Sequence, residues 1–205
     1  DALPPRLPRR QNPHMHMLEA MLAWQAVAPD SAFEAAARVS LDLCRDHIVV
    51  DGAIREYFTE AWAVDPKTGH IIEPGHLEEW AWLLRHAQGV GFDVGVEPED
   101  LHRRAVAQGQ TSLGMIREIG PSGVVLDGGR RLWAQTEAIR TGLAFGDANV
   151  CDLVDRLLAT HLATDVQGLW ADSYDVEGRS PEAAAPASSL YHLMTAFSEL
   201  LRHHP

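Results

Sequence analysis

Helical periodicity is the feature that most constrains the fold of this chain. Apolar residues recur at three- and four-residue spacing through most of its 205 residues, and no strand-like run is long enough to support a sheet-based core. Asp30 and Asp147 are expected N-caps, and Pro98 is expected in a first turn. We predict an all-α fold in which residues 1–205 form a single domain. The predicted helices cover residues 15–28, 31–48, 76–88, 97–118, 131–145, 148–164 and 188–203.

Short extended pieces with turn residues separate some of these helices. The segment IREYFTEAWAVDPKTGHIIEPG predicts a small hairpin that turns at residues 65–69. The segments GPSGVVLDGGRRLW and GLWADSYDVEGR have the same pattern, and SPEAAAPASS is typical of a loop. We therefore expect small β-hairpins in the loops of a helical fold.

Every second helix begins with polar or aromatic residues instead of a simple cap. The openings are HMHMLEA, HLEEWAW, RLWAQTEA and SSLYHL. In a ring of αα-hairpins the inner helices all present the same end to a central cavity. The polar openings are then expected to converge on one pocket. They bring four groups of side chains there: His14, His16 and Glu19; His76 and Glu79; Trp133, Gln135 and Glu137; Ser189 and His192.

Two of these groups pair a histidine with a glutamate three residues later. His16 and Glu19, like His76 and Glu79, lie on one helix face. A carboxylate one turn from an imidazole can accept its N–H and raise its basicity, which suits proton transfer. The remaining histidines are interpreted as surface or core residues: His47, His70, His86, His102, His161, His203 and His204.

The charge and composition of the chain limit which classes of partner it is expected to bind. The net charge of −12 and pI of about 5.3 argue against nucleic acids and anionic membranes, which need clustered lysine and arginine. No window is apolar for long enough to span a bilayer, and the first residues do not resemble a secretory leader. Cys44 and Cys151 lie in helical patterns without metal-binding spacing. A cytoplasmic protein without metal or cofactor is expected.

Three other kinds of site remain open alternatives. His14, His16, Glu19 and His76 could supply zinc ligands, although their spacing differs from HExxH. The loop DSYDVEG loosely resembles a calcium loop but lacks the EF-hand spacing. Paired carboxylates could serve glycoside hydrolysis, but the predicted pocket is richer in histidine than in lone acids.

Four segments together carry a resemblance to a known family. RRQNPHMHMLEAMLAW, EPGHLEEWAWLL, RRLWAQTEA and PASSLYHL stand in an order and spacing similar to the N-acylglucosamine 2-epimerase family. The resemblance implies an (α/α)6 barrel in which two histidines, here His76 and His192, exchange protons with an open-chain sugar through an enediol-type intermediate. It further implies that Glu79 supports catalysis and that five residues bind substrate: His16, Glu19, Trp133, Gln135 and Trp170.

Family members are longer than this chain. The resemblance therefore implies an N-terminally truncated barrel with an open side and an exposed apolar flank. A homodimer or a missing N-terminal half of the barrel is the expected partner, besides a monosaccharide.

The same proton transfer can give two products. A proton returned to C1 gives a ketose, and one returned to the opposite face of C2 gives the 2-epimer. The motifs favour mannose–fructose type isomerisation of a free sugar, since no Gly-rich phosphate loop or Arg/Lys cluster is present. The alternatives are 2-epimerisation of an N-acylhexosamine and a non-catalytic half-barrel or sugar-binding partner.

Overall fold

The computed structural model describes residues 8–180 and 184–203, and helices dominate this part of the chain. Ten strands of two or three residues pair into five small antiparallel sheets. The helices are α1 (Asn12–Val27), α2 (Ser31–Leu43), α3 (Pro74–Gly89), α4 (Pro98–Gly109), α5 (Leu132–Phe145), α6 (Val150–Ala159) and α7 (Ala187–His203). The strands are β1 (Arg9–Arg10), β2 (Val49–Val50), β3 (Ala53–Ile54), β4 (Tyr57–Phe58), β5 (Gln110–Thr111), β6 (Gly114–Met115), β7 (Glu118–Ile119), β8 (Val125–Asp127), β9 (Arg130–Arg131) and β10 (Ser173–Tyr174).

The helices form two layers in alternating order. Helices α3 and α5 bury most of their residues, because each packs against neighbours on several sides. Helix α1 packs on α2 and α3, α3 packs on α4 and α5, and α5 packs on α6 and α7. Helices α1, α3, α5 and α7 thus form an inner row, and α2, α4 and α6 an outer row. Since the helices of the inner row alternate with returning outer helices, their N-terminal ends lie together, as the sequence predicts.

Each end of the inner row has an uncovered helix. Helix α1 exposes Met17 and Trp24, and α7 exposes Leu190, Met194 and Leu201. Both helices bury a single stripe, whereas α3 and α5 are enclosed. The predicted open side with an apolar flank is therefore present in the described chain.

The predicted helix over 97–118 is too long. Helix α4 ends at Gly109, and β5 and β6 follow as a tight hairpin. Gly114 has a φ of +121°, which a helix interior does not contain and which side chains other than glycine rarely adopt. The predicted helix over 148–164 is also shorter, because α6 covers Val150–Ala159. Asp147 precedes its N-terminus and accepts a hydrogen bond from the Asn149 N–H, so it is not the N-cap.

The predicted cap at Asp30 is confirmed, since its side chain accepts a hydrogen bond from the Ala32 N–H at 2.7 Å. Pro98 lies in the first turn of α4, as expected. The last turn of the helix predicted over 31–48 is wound as a π-helix, Cys44–Ile48.

Two of the predicted hairpins pair differently from expectation. Strand β4 pairs with β1, and Phe58 bridges to Val64, so the chain turns before the predicted 65–69 segment. Strand β10 pairs with β9 and does not form a hairpin of its own. The hairpin β7–β8 overlaps its predicted segment, residues 120–133, but its first strand, Glu118–Ile119, precedes that segment. The predictions for residues 1–7, 181–183 and His204 lie outside the described residues.

Candidate active site

His76 lies in the first turn of α3 among buried acidic side chains. Pro74 sets the start of the helix, so His76 points from its N-terminal end into the interior. Its Nδ1 is 2.9 Å from Glu56 Oε2 and 3.9 Å from Glu73 Oε2. The amide Nδ2 of Asn12 is 3.1 Å from the opposite ring nitrogen, Nε2. The close approach to Glu56 is ionic, because its alignment does not meet hydrogen-bond geometry.

These carboxylates decide the charge of His76. Burial by itself lowers the pKa of the imidazole, but Glu56 and Glu73 outweigh it and raise the pKa to about 9. The ring is therefore charged at neutral pH. Burial raises the pKa of Glu73 in turn, while Gln11 donates a hydrogen bond to Glu56 Oε2 at 3.0 Å and holds it in place.

His192 in α7 has a carboxylate of its own. Its Nδ1 donates to Glu137 Oε1 at 2.7 Å, and the second oxygen of Glu137 accepts from Arg140 Nη1 at 2.8 Å. Both glutamate and arginine are buried on α5. Because Glu137 holds Nδ1–H, the other ring nitrogen of His192 is free to accept a proton.

Trp133 connects the two histidines. Its ring centroid is 4.7 Å from that of His76 and 5.8 Å from that of His192. No hydrogen bond joins the two imidazoles in the described part of the chain. The structure thus brings His76, Trp133 and His192 together from three helices of the inner row.

A cavity of about 850 Å³ opens between α1 and α7, beside this group. His16, Glu19, Arg140, Tyr191 and His192 contribute to its polar wall. His76 and Trp133 are not among the residues that line it. The cavity continues onto the uncovered flanks of α1 and α7, so it is open on that side.

Glu19 is the strongest acid of this wall. Burial raises its pKa, but hydrogen bonds from His16 and Tyr191 and the charge of Arg140 lower it to about 2. Arg140 Nη2 donates to Glu19 Oε1 at 3.3 Å, so one guanidinium holds both Glu19 and Glu137. Glu19 also raises the pKa of the Tyr191 hydroxyl, together with burial.

Glu79 faces the same group from α3. It is buried, and its Oε1 has no hydrogen-bond partner in the described chain. His16 Nδ1 lies 3.7 Å away. Burial and the neighbouring Glu137 hold the pKa of Glu79 well above its usual range.

Three side chains predicted for the pocket lie elsewhere or are occupied. His14 packs edge-on against Trp62, with 5.0 Å between ring centroids, and so is separate from the His16 group. The side-chain amide of Gln135 forms hydrogen bonds with the backbone of Met115 and Arg131, so both of its polar atoms are already engaged. Trp170 packs against the apolar cluster of Leu132, Ile139 and Leu193.

Ser189 is buried and donates to Asp172 on the loop before β10. Two of the histidines interpreted as structural have such roles, since His102 bonds Glu78 and His161 bonds the carbonyl of Ala171.

Sequence reasoning missed four participants: Asn12, Glu56, Arg140 and Tyr191. Asn12 and Tyr191 lie within the quoted motifs RRQNPHMHMLEAMLAW and PASSLYHL, and their polar type in those motifs was the available signal. Glu56 lies in a loop segment, and Arg140 lies in the middle of a helix. Neither position carries a local pattern that would distinguish it.

Three trios place ligand-type atoms within 4.8 Å of one another: His16, Glu19 and Glu79; Glu56, Glu73 and His76; Glu79, Glu137 and His192. The zinc set considered from sequence is not among them, because His14 and His76 lie apart from His16 and Glu19. In the second and third trios the histidine Nδ1 already faces a carboxylate at 2.9 or 2.7 Å. We interpret these two trios as His–Glu pairs, ionic for His76 and hydrogen-bonded for His192.

No helix of the described chain is both long and apolar enough to cross a membrane.

Comparison with known proteins gives consistent relatives. The sequence model of the N-acylglucosamine 2-epimerase (GlcNAc 2-epimerase) family matches residues 2–196. A mannose-6-phosphate isomerase of Rhizobium meliloti (strain 1021) is 34% identical over 227 residues, covering 96% of this chain and 56% of the relative.

Solved structures agree on the architecture. A D-mannose isomerase aligns with a TM-score of 0.85 at 21% identity, over 96% of this chain and 56% of that one. A cellobiose 2-epimerase from Bacillus thermoamylovorans B4167 aligns with a TM-score of 0.81 at 20% identity, over 96% and 54%. The predicted (α/α)6 barrel architecture is thereby confirmed. The chain spans little more than half the length of these relatives.

Proposed function

The chain belongs to the N-acylglucosamine 2-epimerase family, and on that premise we propose that it serves as a sugar isomerase acting on an open-chain aldose. The proposed reaction is aldose–ketose isomerisation of the mannose–fructose type. The names of two relatives, a D-mannose isomerase and a mannose-6-phosphate isomerase, support this choice.

One observation carries the proposal: two histidines flank a single tryptophan, and each has a separate buried carboxylate. Glu56 is 2.9 Å from His76, and Glu137 is 2.7 Å from His192. Two imidazoles with distinct acidic partners can hold different charges at the same pH. The charged His76 is then the proton donor, and His192 is the acceptor.

The chemistry follows from those charges. His76 protonates the ring oxygen as the C1–O5 bond breaks and takes up the O1 proton in exchange, which gives the open-chain aldose. His192 then removes the proton from C2 while O1 is protonated, which gives an enediol-type intermediate. The indole of Trp133, between the two rings, offers an apolar face for the carbon skeleton. Return of the proton from His192 to C1, with loss of the O2 proton as the C2 carbonyl forms, completes the isomerisation.

Epimerisation of an N-acylhexosamine at C2 is the second candidate, since His76 and His192 approach Trp133 from different helices. A proton taken by one histidine and returned by the other would invert C2. The structural similarity to a cellobiose 2-epimerase supports this second candidate.

The test is a product assay with the 205-residue chain. Mannose, mannose 6-phosphate and N-acetylglucosamine are incubated separately in deuterium oxide, and products and C2 deuteration are read by NMR. Ketose formed from mannose supports the proposal, a 2-epimer supports the second candidate, and turnover confined to the phosphorylated sugar assigns a phosphosugar substrate. Sugar binding with neither product nor deuteration would contradict the isomerase proposal and indicate a non-catalytic binding protein.

A second arm repeats the assay with the relative's polypeptide outside the matched part added in trans. Product only in this arm identifies the chain as one half of a divided barrel. A third arm adds a chelator before the assay. Unchanged turnover agrees with proton transfer by histidine alone, whereas loss that zinc or manganese restores would favour a metal mechanism.

A further inference from the structure

Three carboxyl groups lie near His192, but the arginine beside them, Arg140, pairs with only two. Glu137 uses one oxygen for His192 and the other for Arg140, at 2.7 and 2.8 Å. Glu19 Oε1 accepts a hydrogen bond from Nη2 of Arg140 at 3.3 Å. Both carboxylates are therefore matched as anions. Arg140 makes no ion pair or hydrogen bond with Glu79 in the described chain, although its Nε has no partner.

Glu79 is the carboxyl group left over. It is 3% exposed, and its Oε1 is sealed from water without a hydrogen-bond partner in the described chain. One of its oxygens lies within 4.8 Å of ligand atoms on both Glu137 and His192. An isolated carboxylate beside another carboxylate, without water, is strongly disfavoured and takes up a proton instead.

We propose that Glu79 is kept as a neutral carboxylic acid and carries the proton that moves between the sugar oxygens. This inference rests on the proposed isomerase function. It assigns the protons on oxygen to Glu79 and the proton on carbon to His192, whereas the family resemblance implied, without a defined step, that Glu79 supports catalysis. The raised pKa of Glu79, caused by burial and by Glu137, agrees with the geometry.

Charged and titratable groups from every neighbouring helix bear on Glu79. The nearest basic group is His16 at 3.7 Å, while His76 and Arg140 oppose protonation of Glu79 through their charge. Glu19 and Glu137 favour it, and burial favours it most. His192 is engaged with Glu137, and Tyr191 with Glu19, so neither supplies Glu79 with a hydrogen bond in the described structure.

The proposed step balances. His192 takes the proton from C2, the C–H electron pair forms the C1=C2 double bond, and the carbonyl pair moves to O1. O1 receives the proton of Glu79, which becomes a carboxylate. That carboxylate then accepts the O2 proton while the C2 carbonyl forms, and C1 takes the proton from His192. His192 thus transfers the proton between the two carbons, and Glu79 transfers the proton between the two oxygens.

The chain offers a matched control in the adjacent residue, Glu78. Glu78 is equally buried, but it points to the opposite side of α3 and bonds His102 on α4 at 2.7 Å. Burial raises its pKa to about 7. Glu78→Gln removes a buried carboxyl group of the same helix without touching the site.

The protonation state is measured first, in substrate-free protein. Infrared difference spectra are recorded across pH for the native chain, Glu79→Gln and Glu78→Gln. We expect two parts of the protonated carboxyl C=O band at pH 7: one that Glu79→Gln removes and Glu78→Gln leaves in place, and one that titrates near pH 7 and that only Glu78→Gln removes. A Glu79 that is ionised at pH 7 overturns the inference. This readout is independent of turnover, so it separates failure of the inference from failure of the proposed function.

Kinetics then test the role in any preparation that shows turnover. Loss of a single positioned donor to a developing oxyanion costs about 10²–10³-fold in kcat. We expect that loss for Glu79→Ala and a smaller one for Glu79→Gln, whose amide still donates a hydrogen bond. The native enzyme should also lose activity at alkaline pH as Glu79 and His76 release their protons, and Glu79→Gln should keep only the loss near pH 9 that belongs to His76. Equal kcat for native and Glu79→Ala enzyme, or identical pH profiles for native and Glu79→Gln enzyme, contradicts the proposal.

Discussion

At the scale of single residues, the site depends on histidines whose charge is set by different neighbours. His76 has two carboxylates near one ring nitrogen, and His192 has one, which is itself tied to Arg140. An imidazole buried without such a partner would be neutral at pH 7, because burial disfavours the charged form. The proposed donor and acceptor roles of the two histidines rest on this difference in their carboxylate partners.

Substituting either histidine should remove turnover and leave the fold in place. For His76→Ala and His192→Ala we expect kcat to fall by about 10²–10⁴-fold, the range for a positioned proton-transfer group. His203→Ala is the control, because His203 is exposed on the same helix as His192. Steady-state kinetics measure the effect, and near-UV circular dichroism verifies the fold. Native kcat in either site variant would remove that residue from the mechanism.

The charge of His76 also predicts a pH dependence of stability. Its pKa is raised from 6.5 to about 9 in the folded chain, so folding binds a proton that the unfolded chain releases above pH 6.5. Its contribution to the free energy of unfolding is complete below pH 6.5 and disappears as the pH rises through 9. Urea unfolding at intervals between pH 6 and 10 measures this loss.

Glu56→Gln should flatten that dependence, because the amide no longer stabilises the imidazolium. NMR titration of the ring provides the direct value. A His76 pKa below 6.5 in the native chain would contradict the assignment of His76 as the resting acid.

At the scale of elements, short hairpins position the inner helices. The β5–β6 hairpin receives the Gln135 side chain, which accepts from the Met115 N–H at 2.8 Å and donates to its carbonyl at 2.9 Å. Gln135 comes two residues after Trp133 on α5. The hairpin thus fixes the end of α5 that carries the tryptophan.

Gly114 is the residue in that hairpin that tolerates least change. A Cβ there would lie 2.5 Å from Gln135 Oε1, and the φ of +121° disfavours any side chain. We expect Gly114→Ala to lower the free energy of unfolding by more than about 1 kcal/mol. Gly91→Ala is the matched control, since Gly91 has a φ of +95° but no atom lies within 4 Å of the position that a Cβ would take. Urea unfolding compares the two, and equal losses would show that the contact with Gln135 is unimportant.

At the scale of the whole molecule, the inner row is open between α1 and α7. The inner helix α3 is packed on several sides and buries most of its residues. Helices α1 and α7, at the two ends of the inner row, bury only one face each. Met194 is 56% exposed and Leu190 is 49% exposed, on adjacent turns of α7. Uncovered apolar faces of this kind favour association.

We expect the 205-residue chain to self-associate as its concentration rises. The double substitution Leu190→Gln and Met194→Gln should weaken that association, because it removes apolar surface from the open flank. Leu158→Gln on the outer helix α6 is the control, with a residue equally exposed at 49%. Sedimentation velocity measures the distributions. A chain that stays monomeric at every concentration, or a control with the same effect, would contradict this role of the flank.

Local sequence patterns predicted the helical class, the alternation of two kinds of helix and the meeting of His76, Trp133 and His192. These features follow from local spacing, because apolar periodicity and polar helix openings are properties of neighbouring residues. The hairpins were predicted less well. Pairing of two-residue strands depends on which segments the helices bring together, as β10 with β9 demonstrates.

The pairing of each carboxylate with its histidine depends on the tertiary structure. Glu56 precedes His76 by one loop, and Arg140 meets Glu19 across most of the chain. The sequence offered Glu79 as the partner of His76, since it lies one turn further along the helix. The fold instead supplies Glu56 to His76 and leaves Glu79 among other acids. Burial and the distances between charges fix these roles, and both are properties of packing that no local spacing contains.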